Sequence, residues 1–444
     1  MRAWFVLTLS CAAVSAAIAC SSTDETSPSP SPDADSDSGS TVPESDAGVR
    51  DAQRDVFVPP TGPRCTDAGW CETPLPDSDL VLRDVVALTT RAFAIAESPR
   101  YGIKILEWTD PDANGVGTWK YIDDGSPNDR GLGAYAGGMW APGESELYFA
   151  IAPGCIFHGI RTSLDAPWTW SHQLLQDHSH EGEPTHASHD HGLQQNRWTS
   201  PGSVQQSPTI GVWGTSSTDV YAWYSNTIYH LTNDAGTPAW VAEYIASDAE
   251  SDLEHLFFVA ATGSDPTDLW FVGVRDTFPT GRSCPIVVRK SNGEYRRIAD
   301  GILPAGYKAC TPRSGYLFVS PVDGWLTDVH LAGAERLLGI VGTSRIAQIS
   351  SDGDGGLASK LSQVPASALG KSIYSMDIVS NDLWLSGWGL ITRSENFSDG
   401  GSYEISSSAV SGAPLDRPLF RVRGTSSTNL WAVGAENALH KTTP

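Results

Sequence analysis

The residues best suited to chemistry are crowded into one stretch. From 172 to 192 the chain reads HQLLQDHSHEGEPTHASHDHG and holds six of its eleven histidines: His172, His178, His180, His186, His189 and His191. Asp177, Glu181, Glu183 and Asp190 are interleaved with them. Neutral imidazole suits zinc, copper and nickel, and carboxylates can complete the shell. Close pairs such as His189 and His191 let a loop fold around an ion. The candidate ligands for Zn²⁺ or another divalent transition metal are therefore His178, His180, His186, His189 and His191. No His-x-x-x-His pair is present, so the expected binding is loose and weakens as the imidazoles protonate. The alternative is a hydrophilic surface loop with no ion.

Cysteine offers the next chemistry. Beyond residue 19 it occurs at Cys20, Cys65, Cys71, Cys155, Cys284 and Cys310, with no Cys-x-x-Cys pair. With Cys20 set aside for the reason given below, five remain, and an exported chain can oxidise them. Of fifteen ways to form two bridges from five thiols, Cys65–Cys71 and Cys284–Cys310 would pin a closing strand and an excursion, leaving Cys155 as a buried thiol. Nucleophilic catalysis finds no motif. There is no Gly-x-Ser-x-Gly elbow, no phosphate-binding Gly-x-x-x-x-Gly-Lys and no His-Glu-x-x-His. His230 and His440 sit at equivalent places in two repeats, which points to structural strand histidines. Asp219 and Asp268 are expected to bond turn amides.

The elements that must position these groups follow from composition and repeat. The 444 residues carry 52 acidic and 29 basic side chains, a net charge of −23. Nucleic-acid binding is excluded on that balance, because its affinity comes from Lys and Arg neutralising phosphates. The chain has 43 Gly, 29 Pro and 16 Trp but only 3 Met, a composition of short strands and turns rather than helices. Residues 211–223, GVWGTSSTDVYAW, are nearly repeated at 421–433, RVRGTSSTNLWAV. Taking the aromatic of the second strand as a marker, seven copies can be counted, at Phe93, Tyr148, Tyr221, Trp270, Trp325, Trp384 and Trp431. Their gaps of 55, 73, 49, 55, 59 and 47 residues match propeller blades and are too long for leucine-rich or ankyrin units.

The third copy reads as a four-stranded meander over Thr209–Gly214, Asp219–Tyr224, Thr227–Leu231 and Trp240–Ile245. The loop 172–192 falls in the longest gap, as an insertion between blades two and three. Too few residues follow Trp431 for a fourth strand, and the stretch from Trp70 can supply it, closing the ring and removing free edges. The predicted fold is thus all-β: a single propeller at 65–444, with seven blades fitting best and six or eight left open by the weak first and fifth copies.

The amino-terminal end gives an address. Residues 1–19, MRAWFVLTLSCAAVSAAIA, carry one charge, Arg2, and then an apolar run ending in small residues before Cys20. This resembles the lipobox of bacterial lipoproteins, with Ala17 where that family has Leu. The resemblance implies cleavage before Cys20, lipid on its sulfur and, with Ser21 in second place, sorting to the outer membrane. Simple secretion after the same cut is the alternative. Residues 20–64 are rich in Ser, Pro and Asp, with nine acidic side chains against three Arg between 21 and 64. That is the composition of a disordered, self-repelling tether.

The repeats are similar to the secreted β-propeller repeats of bacterial lipoproteins, with their G-T/S-S-S-x-x-D-V/L-W-A-V-G signature. The turns at Thr232–Trp240 and 398–403 also resemble the Asp-box of sialidase-type propellers. They depart from its Ser-x-Asp-x-Gly-x-x-Trp spacing by one extra residue and by Tyr403 in place of Trp. Propellers usually take ligands at the mouths of the central channel, so the expected role is a monomeric, membrane-anchored binding or assembly platform with a protein or glycan ligand there. Two alternatives stand beside it: metal capture by the histidine loop, and a glycan-active enzyme of the sialidase or lyase type. The enzyme would need an Arg triad beside a Tyr–Glu pair.

Overall fold

The computed structural model describes residues 64–443 apart from 110–116, 133–134, 179–208, 235, 251–253, 278–281, 305–308, 334, 396 and 398–400. It is a seven-bladed β-propeller of four-stranded antiparallel sheets. Blade one is Val81–Ala87, Arg91–Ser98, Gly102–Thr109 and Thr118–Tyr121; blade two is Tyr135–Gly143, Glu146–Ala152, Cys155–Ile160 and Thr169–Leu174. Blade three is Ile210–Ser216, Asp219–Tyr224, Thr227–Asp234 and Thr237–Ile245; blade four is Glu254–Asp265, Asp268–Thr277, Arg282–Ser291 and Glu294–Ala299. Blade five is Leu326–Leu331, Arg336–Val341, Arg345–Ser351 and Leu357–Gln363; blade six is Ile373–Val379, Asp382–Gly387, Ile391–Ser394 and Tyr403–Ser407. Blade seven is Leu419–Ser426, Asn429–Gly434 and Ala438–Lys441, completed by Trp70–Glu72. No helix of the described residues is long and apolar enough to cross a membrane.

Short polar connections force antiparallel neighbours, so within blades one to six the strand order follows the chain. The last two strands of blade three outrun their predicted bounds. Their turn residues continue the ladder, with Thr232 opposite Ala239 and Asp234 opposite Thr237. First strands of consecutive blades touch one another around the whole ring. In blade seven, Trp70 lies opposite Lys441 and Glu72 opposite Leu439. The closing strand thus leaves the last sheet with its fourth member. Trp70 is fully buried, its indole N–H donating to Ser406 Oγ at 3.0 Å.

The core is a set of apolar layers between blades. Tyr221 of blade three packs with Phe258, Leu269 and Phe271 of blade four. Trp431 of blade seven packs with Leu82, Ala92 and Trp108 of blade one. Six of the seven markers are buried second-strand residues of this kind: Phe93, Tyr148, Tyr221, Trp270, Trp384 and Trp431.

The fifth marker is a correction. Trp325 precedes the first strand of blade five, is only half-buried and stacks 6.1 Å from Phe257. Leu338 holds the second-strand position, opposite His330 as Tyr221 is opposite Trp213. The layer needs bulk and apolarity there rather than an aromatic ring, and Leu338 supplies both within the cluster of Ile340, Met376 and Leu383. The insertion also begins later than residue 172. His172 belongs to the outer strand of blade two, opposite Phe157, and the ladder ends at Leu174.

Disulfides join Cys65 to Cys71, beside the closing strand, and Cys284 to Cys310. The second ties blade four to the excursion that carries the small Gly301–Ile302 and Thr311–Pro312 ladder. Gly301 sits against this bridge, where a Cβ would lie 2.5 Å from Cys310 Sγ. Cys155 is a buried free thiol, and burial pushes its pKa up to about 12.

Candidate functional site

Each of the six second-strand marker aromatics is the centre of a small polar assembly. Residues opposite one another on neighbouring strands sit side by side, so a marker meets its partner on the third strand. Tyr148 stacks on His158 at 4.2 Å, Tyr221 on His230 at 4.3 Å and Trp431 on His440 at 4.0 Å. In blade four the Arg289 guanidinium lies 4.6 Å over Trp270, and in blade six Arg393 lies 5.7 Å from Trp384. The acid or amide two residues before the marker receives the same partner. His158 Nε2 lies 3.0 Å from Glu146, Arg289 Nε 2.6 Å from Asp268 and His440 Nε2 3.1 Å from Asn429. Asp219 and Asp268 therefore reach across the sheet to third-strand side chains, correcting the turn-amide role expected of them. Blade one reverses the polarity, with Arg91 before the marker Phe93 and Glu107 on the third strand, 2.5 Å apart. All of this is blade architecture.

The ring leaves a central channel with a cavity of about 250 Å³. Its walls follow from period-two alternation along the first strands. One residue per blade faces the marker across the ladder: Val86, Trp140, Trp213, Thr262, His330, Asp377 and Arg423. Two residues earlier stand Asp84, Gly138, Gly211, Ala260, Asp328, Ser375 and Arg421. Twelve of these fourteen line the cavity, all but Gly211 and Ser375. Blades two and three give an aromatic wall of Trp140, Trp213 and Trp223. Blades five, six, seven and one give a charged one.

The charged wall is a linked network. Arg423 lies in ion-pair contact with Asp328 and donates to Ser375 Oγ at 3.0 Å and to the Met376 carbonyl at 2.9 Å. Arg421 lies 3.2 Å from Asp84 and 3.5 Å from Asp328. His330 Nδ1 lies 3.3 Å from Asp377. The carboxylates also accept amides of the next blade: Met139 N–H donates to Asp84, Met376 N–H to Asp328 and Gly424 N–H to Asp377, at 3.0, 2.7 and 2.8 Å. They are thus clips between first strands as well as counter-ions. Burial alone would raise the Asp328 pKa, but Arg423 and Arg421 hold it well below the usual carboxylate range. Asp328 has a φ of 46° at an irregularity in the ladder, a left-handed conformation that Asp tolerates better than most residues.

None of these channel residues was singled out from the sequence, although one signal was present. Aligning the two GTSST copies sets Gly211 against Arg421 and Trp213 against Arg423, charges in an otherwise apolar inner strand. Of the histidine-loop candidates, only His178 is described. Its ring lies 6.2 Å from that of Tyr229, and its carbonyl accepts from Asn226 Nδ2 at 3.3 Å. His180, His186, His189 and His191 lie outside the described residues, as does Cys20. Among the described residues no group of three or more His, Cys, Asp or Glu is placed to hold a metal ion.

No family model and no curated protein matches the chain. The fold is found among solved structures. YCF48 bound to D1 peptide aligns with a TM-score of 0.50 at 13% identity, over 86% of this chain and 98% of that one. The WD40 β-propeller domain of Doa1 gives 0.46 at 10% identity, over 85% and 95%. The extracellular domain of BT4673 from B. thetaiotaomicron, described as a one-component system, gives 0.47 at 10% identity, over 85% of this chain and 40% of that one. At these identities the likeness is one of fold alone.

Proposed function

We propose that the chain is a non-catalytic binding platform, anchored at the bacterial cell envelope through lipid on Cys20, that engages its ligand at a mouth of the channel. One observation carries the reading. Among the described residues the cavity is bordered by recognition side chains, with no Ser, Cys, Tyr, Lys or Glu and a single hydroxyl, that of Thr262. Its ionisable groups are already joined to one another or to amides of the next blade. Covalent catalysis needs a nucleophile with a free base beside it, and a sialidase-type site needs three Arg beside a Tyr–Glu pair. This channel offers Arg421 and Arg423, both ion-paired with Asp328. The exposed hairpin turns between first and second strands, such as Ser217-Thr218 and Ser380-Asn381, stand at one end of the inner strands. They give the ligand a hydroxyl-rich rim.

The test is a photo-crosslinking amino acid placed at Ser217 or Ser380 in the full-length protein in intact cells, with Asn226 at the other end of the blade as comparison. A specific adduct from the rim positions is expected. Absence of any rim adduct, or turnover of chromogenic glycosides by the purified protein, would overturn the platform reading.

A further inference from the structure

Resting on that reading, we propose that the channel cavity is a binding site for one neutral saccharide ring, stacked on Trp140 and Trp213 and hydrogen-bonded from the opposite wall by Arg421 and its carboxylate neighbours. Three features of the cavity lead there. The first is its two-sidedness. Indoles on blades two and three face a wall of Asp84, Asp328, Asp377, Arg421 and Arg423. A ligand filling such a space needs an apolar face and a polar edge at once. A sugar ring presents axial C–H groups to an indole and hydroxyls at its rim.

The second is charge. Three carboxylates and two guanidiniums leave this wall, His330 aside, at a formal −1. A cation drawn to the indoles would meet Arg421 and Arg423, and an anion drawn to Arg421 would meet three carboxylates. Every carboxylate oxygen of Asp84, Asp328 and Asp377 already accepts from an amide, an Arg or a His. Oδ2 of Asp84 and Oδ2 of Asp377 take one amide each and retain lone-pair capacity. Hydroxyls, which both donate and accept, fit a closely alternating set of donors and acceptors without adding charge.

The third is the packing of the aromatic wall, where small residues let the indoles lie between blades. Trp140 lies over Gly214 of the next blade and Trp213 over Gly263 of the blade after, each with a ring carbon within 3.0 Å of where a Cβ would sit. Gly138, also lining the cavity, is different. A Cβ there would meet nothing closer than 3.4 Å, so a side chain can be introduced without a backbone clash. The cavity is at the small end of ligand sites, which suits a terminal sugar rather than a threaded chain.

The experiment is saturation-transfer NMR and calorimetry on the full-length protein with methyl glycosides of glucose, galactose and mannose and with N-acetylglucosamine. Tetramethylammonium and acetate serve as ionic probes. Saturable binding of at least one sugar is expected, weakened about tenfold or more by Trp213→Ala and abolished by Gly138→Val. The comparison variant Trp388→Ala, whose indole is stacked by Lys371, should bind as the parent does. Circular dichroism and melting temperature confirm that Gly138→Val is folded. The proposal is overturned if no sugar binds, if only an ionic probe is displaced by Gly138→Val, or if both cavity variants bind as the parent does. Rim crosslinks that persist without sugar binding would leave the platform reading standing and remove the saccharide alone.

Discussion

His440 ties the marker assemblies to a measurable pH effect. It stacks on Trp431 within the sheet, and burial lowers its pKa to about 4 from an ordinary 6.5. The imidazole is therefore neutral in the folded protein, donating from Nε2 to Asn429 Oδ1. Its folded pKa is depressed, so the stability it contributes is fully present above pH 6.5. That stability is lost as pH falls towards 4, where the unfolded chain takes up a proton that the folded one refuses. The shift corresponds to something on the order of 3 kcal/mol. His440→Gln keeps a polar partner for Asn429 and removes the titration. Melting temperature followed from pH 7 to pH 4.5 should fall in the parent and stay flatter in the variant. Glu243 and Asp248, each brought to about 2, lose their contributions only at lower pH: Glu243 is held down by hydrogen bonds from His230, Lys290 and Tyr295 despite its burial, and Asp248 by Arg297 and Arg275 despite its own. Equal slopes in the two proteins across pH 7 to 4.5 would refute the assignment.

At the scale of elements, the seam of the ring is the point to probe. Trp70 packs 5.9 Å from Trp384 of blade six, while Thr73 bonds the Ala438 carbonyl and accepts from Trp119 of blade one. The short segment from Trp70 to Thr73 thus touches three blades. Trp70→Ala is expected to cost about 3–5 kcal/mol, with hydrogen exchange rising first in Asn429–Gly434 and Ala438–Lys441. Uniform exchange across all blades would argue against a distinct seam. This closure was readable in the sequence because strand count is a matter of length: the tail after Trp431 is too short for two strands. The strand bounds of blade three were readable because apolar alternation and turn residues coincide there. Blade five was not, because Leu338 meets the packing demand without the aromatic that marks its siblings. The channel network was illegible for a different reason. Asp328 and Arg423 stand 95 residues apart, and only the closed ring brings them together.

For the whole molecule, the excess of acid proves to be spread out. Part lies before residue 65, and much of the rest is answered locally by Arg and His, as at Asp248, which meets Arg275, Arg297 and Arg313. The attachment is tested directly. Cys20→Ser should move the protein from the membrane to the soluble fraction and abolish incorporation of labelled palmitate, leaving the melting temperature of the propeller unchanged. Retention in the membrane by the variant would sink the lipid anchor. The seam carries one last consequence, for synthesis. Trp70–Glu72 is made before any blade, and its partner Ala438–Lys441 after nearly all of them, so the earliest strand must wait for the latest. A chain clipped or released early has nothing to offer Trp70, and its two raw sheet edges stay open to chaperones and proteases. The join between first and last strands thus reports on blade seven, and a molecule that has hidden Trp70 has built its seventh sheet.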